Sequence, residues 1–358
     1  GTGKRSPTFS TGPPVAVSHT VIIASVRNHT TFSPASPPGP STRSSGQGHP
    51  KARVEAPARL HFGFITPSAV EGRRFGSLGA AVDEPATVVA ARPASHLSVE
   101  GARASEAQRF ASAVLDWLKL PGVELRVESA APVHAGLGST TQLALAVAAA
   151  TATAHGLNID PVEAAKRLGR GARSGAGTYA FKHGGLVVDA GRGPRSEFPP
   201  LMFRCELPSD WCFLVALPRG AGLSGRAEAE AFKSLEPRPE LAHRAAYVAF
   251  MKLVPAALEA DFEVFSSALT ELQGIVGEMF SEAQGGVFAK HSASAVEALR
   301  ALGVKGVGQS SWGPAVYGLV RLSEAEERLD DLKRALPSSE VFIAKPRNRG
   351  ASVQGLEA

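Results

Sequence analysis

Pro132, Val133, His134, Ala135, Gly136, Leu137, Gly138, Ser139, Thr140, Thr141 and Gln142 form a glycine-punctuated, hydroxyl-rich turn that runs straight into an alanine-rich segment. Such a turn can hold an anion. Gly136 and Gly138 open backbone conformations closed to other residues, so main-chain N–H groups can converge, and a helix starting near Ser139 turns its positive dipole end toward the bound group. The spacing marks Gly136, Leu137, Gly138, Ser139, Thr140 and Thr141 as candidates for holding a phosphate or pyrophosphate. A glycine turn that merely caps a buried helix would use the same residues.

Arg59 and His61 stand two apart in an alternating stretch, which puts them on one face of a strand. Arg59 could grip a phosphate or a carboxylate through its planar fork, and His61 could take up a proton. A surface arginine beside a satisfied core histidine is the competing reading.

The elements that must position these residues can be read from the spacing of apolar side chains. Val54, Ala56, Leu60, Phe62 and Phe64 alternate in strand fashion from about residue 51, and residues 123–128 form a second strand leading into the glycine turn. Phe110, Val114, Trp117 and Leu118 have helical spacing, with Ser105 as a cap and Pro121-Gly122 as the stop. The helix over 140–155 is apolar almost all round, which places it in the centre of the fold. Asp160-Pro161 opens another helix that runs out into the glycine-rich stretch 169–177. Further strands are predicted at 186–189, 213–217, 316–320 and 341–344, and helices at 241–258, 262–276, 292–302 and 323–336. Strands first, then alternating helices and strands, indicate an α+β protein with a seam near residues 200–210.

The 358 residues suffice for two modest domains. Residues 1–50 contain no Asp or Glu and are crowded with Ser, Thr, Pro and Gly, so they are expected to form a disordered low-complexity tail. Their composition also suggests a transit peptide, but no Arg-lined amphipathic helix is present, and the segment is read as an extended N-terminus. The tail carries Lys4, Arg5, Arg27 and Arg43, which leaves the remainder nearly neutral, and the basic balance therefore does not argue for nucleic acid. The apolar run around Val21 to Ala24 is too short to span a membrane. Cys205 and Cys212 give neither a disulfide framework nor a zinc site, so a reducing cytoplasm is expected.

Three motifs resemble those of the GHMP superfamily of small-molecule kinases: Pro57-Ala58-Arg59-Leu60-His61-Phe62-Gly63 on the first strand, the glycine turn with Thr140 in place of a second Ser, and a late loop at Gly306 to Pro314. Two departures speak against a kinase. Many members carry Ser-Gly-x-Asp, whose carboxylate is the base for the accepting alcohol, and here Ser174-Gly175-Ala176 is followed by Gly177. Loss of such a base removes about 10² to 10⁴-fold of rate. The late loop replaces small residues with Gln309-Ser310-Ser311-Trp312, and Trp312 needs space and offers a flat apolar face. Together with Gly177 to Phe181 and Gly185 to Asp189, these features resemble one branch, the β-ribofuranosylaminobenzene 5′-phosphate synthase family, across residues 52–348.

The resemblance implies a GHMP-type two-domain fold, with a ribosomal S5 domain 2-like part at 51–205 and a ferredoxin-like part at 206–358. It also implies a pentosyltransferase of tetrahydromethanopterin biosynthesis and one-carbon metabolism. That enzyme condenses 5-phosphoribosyl 1-pyrophosphate with 4-hydroxybenzoate or 4-aminobenzoate, with loss of pyrophosphate and carbon dioxide; an ATP-dependent kinase of a small alcohol is the alternative. In that setting the glycine turn holds the donor, and Arg219 and Arg226, on a mobile loop over the site, add phosphate contacts. Arg59 and His61 act as catalytic residues, and Gln309, Ser310, Ser311 and Trp312 line the acceptor, although a Trp after a strand is commonly plain core. Lys182 and His183 could reach the donor or remain a solvated pair. Mg²⁺ is the expected cofactor, with Asp83 and Asp189 as candidate carboxylates that could equally be turn acids. A homodimer is in keeping with the family; nucleic-acid or membrane partners are not.

Overall fold

The computed structural model describes residues 51–356, so the predicted tail at 1–50 lies outside the described residues. In chain order the strands are β1 Lys51–Phe64, β2 Ser77–Pro93, β3 Leu97–Gly101, β4 Val123–Ser129, β5 Leu186–Asp189, β6 Leu201–Cys205, β7 Trp211–Leu217, β8 Lys305–Gln309, β9 Val316–Arg321, β10 Glu340–Ala344 and β11 Ser352–Leu356. The helices are α1 Ala104–Leu118, α2 Ser139–Ala154, α3 Pro161–Arg167, α4 Ala176–His183, α5 Gly225–Ser234, α6 Pro239–Val248, α7 Val254–Leu258, α8 Phe262–Gln284, α9 Lys290–Ala301 and α10 Ala325–Ala335.

A seven-stranded sheet runs β11-β1-β2-β4-β3, and β5 pairs with the first residues of β2 and carries β6 outward. All its pairs are antiparallel except β3 with β4. The second sheet is antiparallel in the order β10-β7-β9-β8. With helices after β7 and after β9, this is the βαββαβ arrangement of a ferredoxin-like unit. The predicted α+β architecture is thus present in both halves.

Alternation along β1 explains how one strand serves both core and site. Val54, Ala56, Ala58, Leu60 and Phe62 are buried in the core, whereas Arg59 and His61 share the opposite parity. Phe62 lies where the two sheets meet, with ring centroids 6.0 Å from Phe213, 6.5 Å from Phe265 and 5.4 Å from Tyr317. Helix α2 packs on β1 and β2 and is flanked by α1, α3 and α4, which is why nearly every face of it is apolar.

Several boundaries differ from the sequence reading for local reasons. Helix α1 starts after Arg103, a left-handed residue without a side-chain cap, and Ser105 lies inside the helix. Asp160 does cap α3, accepting from the Val162 and Glu163 amides. The helix opened by Asp160-Pro161 ends at Arg167, short of the glycine-rich stretch 169–177, and α4 begins within that stretch at Ala176. The 206–358 unit is not separate: β11 returns to pair with β1, register Val54 to Val353, so the end of the chain completes the first sheet.

Phe62→Ala removes the ring that joins the two sheets and should destabilise the protein by about 3–5 kcal/mol. Denaturant unfolding measures this, and a loss below about 1 kcal/mol would contradict the shared core.

Candidate functional site

The glycine turn is positioned by hydrogen bonds from three distant segments. The Arg59 amide donates to the Leu137 carbonyl at 3.1 Å, the Ala315 amide to the Ala135 carbonyl at 3.0 Å and the Gly222 amide to the His134 carbonyl at 3.1 Å. The Gly136 carbonyl accepts from Arg59 Nη1 at 3.2 Å and from Ser310 Oγ at 2.6 Å. Ser310 Oγ in turn accepts from the His61 amide at 2.9 Å. Gly136 is obligatory here, because its φ is +84° and a Cβ would stand 2.3 Å from the Ser310 carbonyl oxygen.

This turn forms one wall of a cleft of about 1000 Å³. Gly136, Gly138, Ser139, Thr140 and Thr141 line it at the start of α2, while Leu137 turns its side chain into the core. Arg59, Arg74, Arg170, Arg173, Arg192 and Lys233 surround the same space. Its carboxylates are both engaged: Glu106 pairs with Arg103 at 2.6 Å and Glu228 with Arg173 at 2.9 Å. The cleft therefore offers surplus positive charge beside a helix N-terminus, an arrangement suited to a polyanion.

Burial brings the Arg59 guanidinium down to about 10, against the opposing pull of Glu228 and Asp189, so it stays charged at neutral pH. His61 is buried, and burial, reinforced by the charge of Arg59, holds its imidazolium well below the usual range. His61 Nε2 lies 3.3 Å from Ser174 Oγ, which is 2.7 Å from Ser77 Oγ, and Ser77 donates to Asp189 Oδ2 at 2.5 Å. Asp189 also accepts from the Gly175 amide at 3.0 Å and from the Gly191 amide at 2.8 Å.

The late loop serves two purposes. Gln309 spends its amide internally, accepting from the Ala289 amide at 2.8 Å and donating to the Ser311 carbonyl at 3.0 Å. Trp312 is only 5% exposed and packs edge-on to Phe280 and Phe232, with centroids at 4.9 Å and 5.5 Å. Ser311 and Trp312 present their remaining surface to the cleft and to a second cavity of about 30 Å³ beside His61.

Some predicted residues lie elsewhere. Arg219 is exposed and outside the cleft lining, and Arg226 points to solvent, paired with Glu230 at 2.7 Å. Lys182 is held by Asp160. Asp83 accepts from the Lys345 amide at 2.7 Å, tying the middle of β2 to the end of β10 away from the cleft. Asp83 and Asp189 join no cluster of ligands, and among the described residues no three His, Cys, Asp or Glu side chains converge. The donor set does not fit a protein-built magnesium cage. The cleft arginines Arg74, Arg170, Arg173 and Arg192, and the hydroxyls Ser77 and Ser174, were not singled out by the sequence reading. The basic, glycine-rich run from Arg167 to Gly175 was the signal for part of this set.

Gly177 sits beside Thr141, where a Cβ would meet ordinary contacts from 3.5 Å. Packing therefore does not demand a glycine there. A Cβ could be accommodated, and position 177 carries no carboxylate because the sequence places none there.

Two family models match the chain: GHMP kinases N terminal domain over residues 104–185 and GHMP kinases C terminal over residues 253–338. A β-ribofuranosylphenol 5′-phosphate synthase of Methanothermobacter thermautotrophicus is 31% identical over 328 residues, 83% of this chain and 97% of the relative. One of the same name from Archaeoglobus fulgidus is 29% identical, covering 84% of this chain and 99% of the relative. Among solved structures, a homoserine kinase from Cytophaga hutchinsonii aligns with a TM-score of 0.59 at 17% identity, over 88% of this chain and 100% of its own. A mevalonate kinase aligns with a TM-score of 0.60 at 15% identity, over 83% of this chain and 99% of its own.

Burial pushes the Asp189 carboxyl up to about 6, against the opposite pull of its hydrogen bonds. The native state thus keeps a proton over a range where the unfolded chain has lost it. The associated stability is fully present below the ordinary carboxylate range and is lost as pH rises through about 6. Denaturation midpoints followed from about pH 4 to about pH 7 should show this decline in the wild type and a flatter profile for Asp189→Asn. Equal slopes would remove Asp189 as its source.

Proposed function

Because this chain belongs to the β-ribofuranosylphenol 5′-phosphate synthase family, on the GHMP kinase fold, we propose that it condenses 5-phosphoribosyl 1-pyrophosphate with 4-hydroxybenzoate. It is an enzyme of the pentosyltransferase type. The relatives' names specify a phenol, which favours the hydroxy over the amino acceptor. This step belongs to tetrahydromethanopterin biosynthesis.

The observation that carries the proposal is the pairing of a cationic cleft with the absence, among the described residues, of an unpaired carboxylate lining it. The donor is a polyanion, and the glycine turn and arginines suit its phosphates. A kinase must deprotonate an alcohol, and with a glycine at 177 and with Glu106 and Glu228 engaged, no free carboxylate lines the cleft for that task among the described residues. Transfer to an arene deprotonates no sugar or other aliphatic alcohol. The bond from C1 of the ribose to pyrophosphate breaks with its electron pair leaving on pyrophosphate, the ring carbon that bears the carboxylate attacks C1, and loss of carbon dioxide returns an electron pair to the ring.

Arg59 is assigned to the donor, where its charge opposes that of the departing pyrophosphate. The α2 N-terminus acts in the same sense. Magnesium would enter with the donor, since among the described residues no three His, Cys, Asp or Glu side chains converge to hold it. The free, buried Cys205 and Cys212 suit a cytoplasmic location, and among the described residues no helix is long and apolar enough to cross a membrane.

Pyrophosphate release provides the test. It should require both 5-phosphoribosyl 1-pyrophosphate and 4-hydroxybenzoate, and Arg59→Ala should raise the donor KM by about ten-fold or more. ATP turnover with a small alcohol and no pyrophosphate release from the ribosyl donor would overturn the reading.

A further inference from the structure

Asp189 is a buried carboxylate with no counter-ion in contact, which is costly unless its position serves a purpose. Its hydrogen bonds impose a direction on everything connected to it. An ionised carboxylate only accepts, so the proton of Ser77 must point to Asp189 Oδ2. Ser77 Oγ is then left as an acceptor, and the proton of Ser174 must point to it across 2.7 Å. Ser174 Oγ also accepts from the Ala176 amide at 3.2 Å, and its remaining lone pair faces His61 Nε2. That nitrogen must therefore carry the proton. The neutral ring is fixed in one tautomer, with its lone pair on Nδ1.

His61 Nδ1 is buried and has no hydrogen-bond partner among the described residues. His61 lines the small cavity that shares Ser311 and Trp312 with the main cleft, and Phe64, Phe280 and Phe288 form its apolar walls. Its volume, about 30 Å³, is that of one water-sized group and excludes an aromatic ring. A single oxygen substituent fits.

From this geometry we infer that His61, Ser174, Ser77 and Asp189 form a proton relay that takes the phenolic proton of the acceptor. The inference rests on the reaction proposed above and adds a route for its proton. The acceptor oxygen gives its proton to His61 Nδ1, the Nε2 proton passes to Ser174 Oγ, the Ser174 proton to Ser77 Oγ and the Ser77 proton to Asp189 Oδ2. The phenol becomes a phenolate, a stronger carbon nucleophile at the position bearing the carboxylate, and Asp189 becomes neutral. The low basicity of buried His61 suits a group that passes a proton on rather than keeping it. Arg59 is the charged neighbour of both ends of the relay and would favour the phenolate. Ser77, Ser174 and Asp189 act through His61 and are positioning residues.

The test compares Ser174→Ala and Ser77→Ala with wild type, using 4-hydroxybenzoate and then its 3,5-difluoro derivative, whose phenol is far more acidic and needs no base at neutral pH. Thermal stabilisation by 5-phosphoribosyl 1-pyrophosphate first establishes that each variant is folded and binds donor. With 4-hydroxybenzoate, kcat should fall by about ten-fold or more while the donor KM holds, and with the difluoro acceptor the deficit should shrink to less than about three-fold. Equal deficits with both acceptors, or no deficit in either variant, would overturn the relay. Absence of donor-dependent turnover in the wild type would instead overturn the reaction itself.

Discussion

The site depends on the carbonyl of Gly136, which receives hydrogen bonds from Arg59 and from Ser310 at once. Those donors come from the first strand and from the late loop, and the same Ser310 hydroxyl also holds the His61 amide. One oxygen and one hydroxyl thereby lock three segments that are far apart in sequence. The arrangement sets the start of α2 against the cleft, where Ser139, Thr140 and Thr141 line it. Only a residue without a side chain can occupy position 136, where a Cβ would collide with the Ser310 carbonyl.

The kinase fold is retained while its chemistry is altered by what lines it. Structural neighbours that are kinases share the architecture at 15–17% identity, a level at which the fold alone is common property. Position 177 has room for a Cβ and carries none, and the cleft carboxylates are neutralised by Arg103 and Arg173. Positive charge is left in excess. A reaction whose leaving group is pyrophosphate and whose nucleophile is a carbon atom draws on that excess and does not need the missing acid.

Much of this was legible in the sequence, because local rules and tertiary demands agreed there. The glycine turn, the alternation that places Arg59 and His61 together, the Asp160 cap and the all-round apolar α2 are each written in a few adjacent residues. What could not be read depended on partners distant in sequence. Ser77 and Ser174 are ordinary residues until β2 and the start of α4 bring them between His61 and Asp189. Arg219 and Arg226, attractive as loop arginines, are exposed, and the arginines that line the cleft come from β1, the segment between α3 and α4, and the loops flanking β2 and β5. The return of β11 to β1 was equally invisible, since an edge strand carries little pattern of its own.

The most direct test of the account is release of labelled carbon dioxide from carboxyl-labelled 4-hydroxybenzoate. Release that requires 5-phosphoribosyl 1-pyrophosphate and matches the pyrophosphate formed is the predicted result. Retention of the label in the aromatic product while pyrophosphate is released, or no reaction with this donor at all, would contradict it.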